Sequence, residues 1–230
     1  ASYGTGQAIF GYGEVNGPKS ALTNKVSNTG VVASDTAGVG TARAWIAAAG
    51  YGTDKAIFGY GDNNSKVSMI NLISNAGVAA TDTTGVGTAR SQLAAAGYGT
   101  DKAIFGYGEA SINSSLTNLV TNTGVVATDT TGVGTARKAL AAAGYGTDKA
   151  IFGYGSSNFT NLVSNTGVVA SNVAGVGTSR TALAAAGYGT DKAIFGYGLS
   201  NFTNLVSNTG AVASDVASVG TGRPYLAASS

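Results

Sequence analysis

Short apolar segments separated by glycine-rich turns recur along the whole chain. In the copy near residue 100, apolar runs of strand length occupy 93–98, 102–107, 118–122 and 125–128. Gly-Thr-Asp separates the first two runs and Asn-Thr-Gly the last two, and such residues favour turns. The alanines of the first run favour helix, but one helical turn before a glycine is too short to be stable. The pattern therefore predicts four short strands in each copy.

The copies are internal repeats. Gly-Tyr-Gly-Thr-Asp-Lys-Ala-Ile-Phe-Gly-Tyr-Gly occurs four times, and a weaker version opens the chain at 3–13. Four strands in a unit of 43 to 48 residues is the pattern of a propeller blade, so one five-bladed β-propeller is predicted over 1–230. The repeats are 3–50, 51–97, 98–144, 145–187 and 188–230, and their variable stretches are 14–24, 62–71, 109–118, 156–161 and 199–204.

The two ends of the chain supply complementary parts of one repeat. The tail 223–230 aligns with 180–187, which leads into a first strand, whereas the chain begins just after such a strand. We therefore expect the tail to complete the first blade. The predicted fold is all-β, with four-stranded antiparallel blades in a closed ring that leaves no unpaired sheet edge.

Composition excludes several kinds of chemistry. The chain has no Cys and no His, which removes thiolate nucleophiles, imidazole ligands and Ser-His-Asp triads. Only 10% of residues are charged and the net charge is +2, so no nucleic-acid partner is expected. No apolar run is long enough to span a membrane as a helix, and 1–4 lacks the features of a signal peptide. No cofactor is predicted.

The frame Arg-x-x-Leu-Ala-Ala-Ala-Gly-Tyr-Gly-Thr-Asp-Lys-Ala-Ile-Phe-Gly-Tyr-Gly resembles the kelch repeat. The resemblance covers all five repeats but is specific only over the first two strands. Kelch repeats have a Gly-Gly doublet where this chain has Gly106-Tyr107-Gly108, and their Tyr…Trp pair is missing, since Trp45 is the only tryptophan. The chain is also similar to kelch-like repeat proteins of tailed bacteriophages. The copper chemistry known in that superfamily is excluded, because it needs His and Cys.

In an up-and-down meander, the variable stretches and one arginine per repeat lie on one face. A ring of arginines could hold an anion or a sugar acid. Alternatively, each could pair with a nearby aspartate or cap carbonyl groups between blades; the candidate partners are Asp35, Asp82, Asp129 and Asp215, with Asn172 in the fourth repeat. The repeated Asp-Lys pairs lie on the other face, as turn residues. The candidate ring is Arg43, Arg90, Arg137, Arg180 and Arg223.

The repeated aromatic residues are predicted to pack between blades. In Phe105-Gly106-Tyr107, strand alternation places both rings on the same side. The glycine between them would allow a close approach of the neighbouring blade.

The variable stretches are the candidate partner-binding surface, because function concentrates in loops on a rigid scaffold. We expect a non-catalytic structural or interaction propeller, in a virion or outside the cell, such as part of a phage particle or its host-attachment apparatus. Alternatives are a multivalent lectin binding surface glycans between blades, or an engineered consensus propeller. A glycosidase is disfavoured, since only Glu14, Asp62 and Glu109 are acids outside the repeated positions. The candidate loop residues are Asn16, Lys19, Asn63, Asn64, Lys66, Met69, Ile112, Asn113, Phe159 and Phe202, with Val15 and Leu199 beside them.

Overall fold

The computed structural model describes residues 1–216 and 219–229, so Ser230 of the predicted last strand lies outside the described residues. The described chain is all-β and forms five antiparallel sheets of three consecutive strands. Sheet 1 contains β1 (Ser2–Tyr3), β2 (Gln7–Glu14) and β3 (Lys19–Val26). Sheets 2 to 5 contain β4 (Ala47–Tyr51), β5 (Lys55–Gly59), β6 (Ile70–Ile73); β7 (Ala94–Tyr98), β8 (Lys102–Gly106), β9 (Thr117–Val120); β10 (Ala141–Tyr145), β11 (Lys149–Gly153), β12 (Thr160–Val163); and β13 (Ala184–Tyr188), β14 (Lys192–Gly196), β15 (Thr203–Val206).

The fourth predicted strand of each repeat is not a strand of these sheets. In sheet 3 the segment after β9 touches it through two isolated bridges, Val120↔Val126 and Thr117↔Thr130. Between the bridges, the side-chain amide of Asn118 donates to the carbonyl of Ala127, 3.1 Å away. A side chain thus takes a carbonyl that a regular ladder would use, which interrupts the strand.

The core lies between neighbouring sheets. Phe105 packs on Tyr60 of sheet 2, whereas Tyr107 packs on Phe152 of sheet 4, with ring centres 5.2 Å apart in both pairs. The prediction that Phe105 and Tyr107 point to the same side is therefore wrong. Tyr107 has a φ of 64° and follows the end of β8, so strand alternation does not apply to it. The two rings connect one sheet to both neighbours.

Sheet 1 differs from the others in its second hairpin. β2 and β3 are eight residues long, and pair as far as Glu14 and Lys19 after a register shift between Gly11 and Gly13. The turn is Asn16-Gly17, with φ of 52° and 105°. Asn-Gly is a strong signal for a tight hairpin. Most of the first variable stretch is thus strand and hairpin.

The first strands of the five sheets surround one central funnel of about 440 Å³. Small residues line it, including Ser2 of β1 and the alanines of the other first strands, and Ala228 and Ser229 from the other end of the chain reach the same funnel. In the described part of the chain there is no helix long and apolar enough to cross a membrane.

Candidate functional site

The repeated arginine is buried within its own sheet. Arg90, which precedes β7, donates from Nη2 to Asn118 Oδ1 of β9, and its Nη1 lies 3.3 Å from Asp129 Oδ1. Its guanidinium also stacks on Tyr60 of the preceding sheet, with Cζ 4.9 Å from the ring centre. Each arginine therefore joins the start of the first strand to the third strand of the same sheet. Its flat, positively charged guanidinium packs on a tyrosine ring of the preceding sheet.

The same geometry recurs at other sheets. Arg43 pairs with Asn71 and Asp82, and Arg180 with Asn204 and Asp215. Burial opposes ionisation of Asp82, but hydrogen bonds from Thr41 and Asn71 outweigh it and lower the pKa of its carboxyl group. Buried charges need such partners to be tolerated. Arg43, Arg90, Arg137 and Arg180 are all buried, so they do not form an open anion-binding surface.

Sheet 4 lacks the carboxylate. Arg137 donates to Asn161 Oδ1 at 2.7 Å and to the carbonyl of Thr135 at 3.1 Å, and Asn172 stands where the other sheets have aspartate. Burial lowers the pKa of Arg137. Its Nε is buried without a hydrogen-bond partner among the residues that the structure describes. This arginine keeps its place with one charge fewer around it.

The fifth member, Arg223, is exposed. Its backbone carbonyl accepts from Gly198 at 3.2 Å and its Cζ lies 5.0 Å from the Tyr197 ring centre, as in the other repeats. The corresponding acceptors, Asn24 and Asp35 of sheet 1, are bonded to each other at 2.7 Å. The structure thus does not bring the fifth arginine to its aspartate.

The repeated Asp-Lys pairs lie in the turns between first and second strands. Lys102 donates to Asp101 at 3.0 Å, and Asn122 donates to the other carboxylate oxygen at 3.0 Å. The hydrogen bond from Lys102, together with that from Asn122, lowers the pKa of Asp101. Partly exposed pairs of this kind contribute little stability. They form part of the turns that surround one end of the funnel.

Three ion pairs that involve acids and lysines of the variable stretches connect neighbouring sheets. Lys19 of sheet 1 donates to the carboxylate of Asp62 in sheet 2. Lys66 of sheet 2 lies 3.7 Å from Glu109 in sheet 3, and Lys138 lies 2.8 Å from the same carboxylate. Hydrogen bonds from lysine lower the pKa of both Asp62 and Glu109. Acids held ionised in this way are poor proton donors at neutral pH.

The remaining candidate loop residues differ in exposure. Ile112 is 76% exposed and Leu199 is 73% exposed. Asn16, Asn64 and Asn113 are also exposed at loop tips, and Val15 lies beside the first of them. Partly buried positions are occupied by Asn63, Met69, Phe159 and Phe202. The exposed members offer contact area to a partner, whereas the partly buried ones support the loops.

Trp45 is a surface residue that the sequence reasoning left out of the candidate set. It is 44% exposed, and the ammonium group of Lys19 lies 5.7 Å from the centre of its ring. The signal was available, because the repeat has Gln92, Ala139, Ala182 and Tyr225 at the same position. Tyr225 is the other aromatic residue at this position, and a tryptophan that only one repeat carries is not part of the repeated frame.

No three His, Cys, Asp or Glu side chains come together as a metal site within 1–216 and 219–229. The described acids of the frame are bonded to Arg, Lys, Thr or Asn side chains. The variable loops, held by the packed sheets, therefore remain as the candidate binding surface.

Comparison with known proteins extends to the fold alone. No family model and no curated protein sequence matches the chain. Among solved structures, virginiamycin B lyase from Staphylococcus aureus, a β-propeller, is similar with a TM-score of 0.56 and 11% sequence identity. The match covers 84% of this chain and 62% of the lyase, so the chain spans less than two thirds of that protein. Five small antiparallel sheets around one funnel, together with this likeness, show that the chain has a β-propeller fold.

Proposed function

We propose that this protein is a non-catalytic propeller that joins a larger assembly through its variable loops. The observation that carries the proposal is that repeated and unrepeated side chains have different roles. Repeated polar side chains are used up in holding sheets together, whereas unrepeated apolar and amide side chains such as Ile112, Asn113 and Leu199 are exposed on loops. Loops on a rigid scaffold are where partners bind.

The scaffold we propose is a closed kelch-like ring whose last strand comes from the tail. Ser2 and Tyr3 pair with Ala8 and Gln7, so β1 occupies only the end of the first-strand position in sheet 1. By the repeat, Ala227 and Ala228 correspond to Ala47 and Ala48, which pair with Gly59 and Phe58. The same pairing would place the tail alanines beside Gly11 and Phe10 of β2. Together with the bridged outer segments, this gives four-stranded blades.

On both sides of the junction between sheet 5 and sheet 1, here called the seam, side chains lack the partners that their counterparts have in other repeats. This supports closure. Phe10 of sheet 1 is 48% exposed, whereas its counterpart Phe105 is fully buried against the preceding sheet. On the other side, Tyr225 N donates to Ala182 O at 2.9 Å, which continues a series of bonds that links the earlier repeats. Closure would bring Phe10 onto Tyr197 and Arg223 to the Asn24–Asp35 pair, completing the interface already formed four times.

The exposed loops fit an assembly better than a repeated lectin. Aromatic pairs such as Tyr60–Phe105 and Tyr107–Phe152 fill the spaces between described sheets. A lectin with equivalent sites between blades would need those spaces open. A phage particle or its host-attachment apparatus is the assembly we favour, because the near-identical repeats resemble those of kelch-like proteins of tailed bacteriophages and the loops break the repeat.

The test is affinity capture of native assemblies with two tagged baits. One bait is the unchanged chain, and the other has stretch 109–118, which carries Ile112 and Asn113, replaced by the six-residue stretch 156–161, which the frame already accepts in sheet 4. We expect the first to retain virion structural proteins at a fixed ratio and the second to lose them with its melting temperature unchanged. Capture of the same proteins by both baits, or of none by either, would refute the proposal, as would turnover of a polysaccharide.

A further inference from the structure

The indole of Trp45 is an addition to the frame. The residues at this position share a φ between 53° and 59°. Their backbones form one series, in which Gln92 donates to Trp45 O at 3.0 Å and Ala139 donates to Gln92 O at 2.9 Å. Ala139 and Ala182 make the same bonds with a methyl group as side chain. The fold therefore does not need an indole here, and its presence calls for another role.

Neighbouring side chains hold the ring in place. Lys19 lies over Trp45, and its ammonium group is bonded to Asp62 and to Asn64 Oδ1 at 3.3 Å. Asp62 is paired through its backbone with Ala44, the residue before Trp45. The lysine is thus fixed by sheet 2 while it extends from sheet 1. A cation over an aromatic ring adds a favourable contact, so the indole is positioned before any ligand arrives.

The surroundings of the ring are rich in hydrogen-bonding groups and low in net charge. Asn64 is exposed and Gln92 partly exposed, and each carries an amide that can donate and accept. Lys19 and Asp62 neutralise each other. Among the described residues, the indole N–H has no protein acceptor. An apolar ring edged by a few amides suits a ligand that has both an apolar face and many hydroxyl groups.

We propose that Trp45 is the platform of a single binding site for a neutral saccharide. The C–H face of a pyranose ring packs on the exposed indole, and its hydroxyl groups bond to the amides of Asn64 and Gln92. A phosphate-bearing ligand is disfavoured because the nearby lysine is already paired. Its platform, Trp45, lies outside the variable stretches, although Lys19 and Asn64 belong to them, and one chain holds one site instead of five.

Because Trp45 is the only tryptophan, its fluorescence reports on this site alone. The probes are glucose, galactose, mannose, N-acetylglucosamine and linear oligomers of each, with calorimetry to count bound molecules. We expect at least one sugar series to shift the emission to shorter wavelength and to saturate at one molecule per chain. No shift with any series, or five molecules per chain, would overturn the proposal.

The variant Trp45→Gln carries the residue that the next repeat has at this position, so it should fold. We expect calorimetry to show at least a ten-fold weaker affinity for the same sugar, and Lys19→Met to weaken it less. The control Leu199→Ala, at another exposed apolar loop residue, should bind as the unchanged chain does. Full affinity for the sugar in Trp45→Gln would contradict the site. So would an emission change of the unchanged chain that only oligothymidine or peptides cause. Loss of sugar binding leaves capture by the loops unaffected, so the two proposals fail separately.

Discussion

The guanidinium of Arg137 lies over the ring of Tyr107, with Cζ 4.3 Å from its centre, and no aspartate of its own sheet balances the charge. Arg90 has the same stacking and the same asparagine, but it also has Asp129 at 3.3 Å. The chain thus contains a natural comparison between a buried arginine with a carboxylate and one without.

Replacing Asn172 by Asp should stabilise the protein. The new carboxylate would accept hydrogen bonds from Thr135 and Asn161 as Asp129 does from Thr88 and Asn118. Hydrogen bonds to a charged group contribute about 1.5–3 kcal/mol, so we expect a gain of about 1–2 kcal/mol in the free energy of unfolding by urea. The reverse change Asp129→Asn is the matched control and should cost a similar amount. A loss of stability in Asn172→Asp would show that this interior does not accept the charge.

Acid should unfold the protein through the frame aspartates. The pKa of Asp82, Asp129 and Asp215 is lowered in the folded state, where hydrogen bonds from Thr and Asn outweigh the opposing effect of burial. Their stabilisation is therefore present above the unfolded pKa of about 3.9 and is lost as pH falls through the lower folded values. The melting temperature, measured between pH 6 and pH 2, should decrease once the pH is below about 4. Asp129→Asn should be less stable at pH 6 and should show a shallower drop.

Strong base should act through the stacked tyrosines. Burial raises the pKa of Tyr60 and Tyr154 to about 12, against the opposing effect of the nearby arginines. Because the folded value is above the unfolded one, this stabilisation is complete below about pH 10 and is lost as pH rises towards 12. Ultraviolet titration should show a late set of phenols that ionise together with unfolding. In Tyr60→Phe, that late set should be smaller by one phenol.

Gly106→Ala should destabilise the protein. A methyl group there would lie 2.6 Å from Phe152 Cζ, and overpacking of this kind costs about 1–3 kcal/mol. Gly196 occupies the same position in sheet 5, where the described atom nearest to an added methyl group would be Thr203 Cγ2 at 3.6 Å. Urea unfolding of both variants also tests ring closure. If Phe10 packs on sheet 5, Gly196→Ala should cost as much as Gly106→Ala, whereas an unaffected Gly196→Ala would mean that the seam stays open.

The repeat made most of the architecture predictable, since five copies of one strand pattern show up as five sheets. What the pattern could not show is the backbone conformation and the side-chain hydrogen bonds of single residues. Tyr107 reverses its direction through a positive φ, and Asn118 interrupts an outer strand with its side chain. The first effect places Tyr107 against Phe152 of the next sheet, and the second is a bond from a side chain to a backbone carbonyl, so neither follows from strand alternation. The hairpin at Asn16-Gly17 was within reach, because that dipeptide is a known turn signal.

The candidate site was predictable in part. The structure contains the alternative in which arginines pair with Asp82, Asp129 and Asp215. A buried guanidinium needs fixed hydrogen-bond acceptors, and these carboxylates supply them. The pairing of Lys19 with Asp62 and of Lys66 with Glu109 could not be read from sequence. Each pair joins two variable stretches that become neighbours only after the sheets assemble.

The way each arginine is held has a consequence for how such a gene can change length. The side chains that bind its guanidinium, Asn118 and Asp129 in the case of Arg90, come from its own sheet, while the surface that it presents to its neighbour is the same flat cation every time. A duplicated copy of one unit would meet a suitable tyrosine on one side and offer one on the other. We therefore expect a chain lengthened by one unit to form the same contacts at both new junctions.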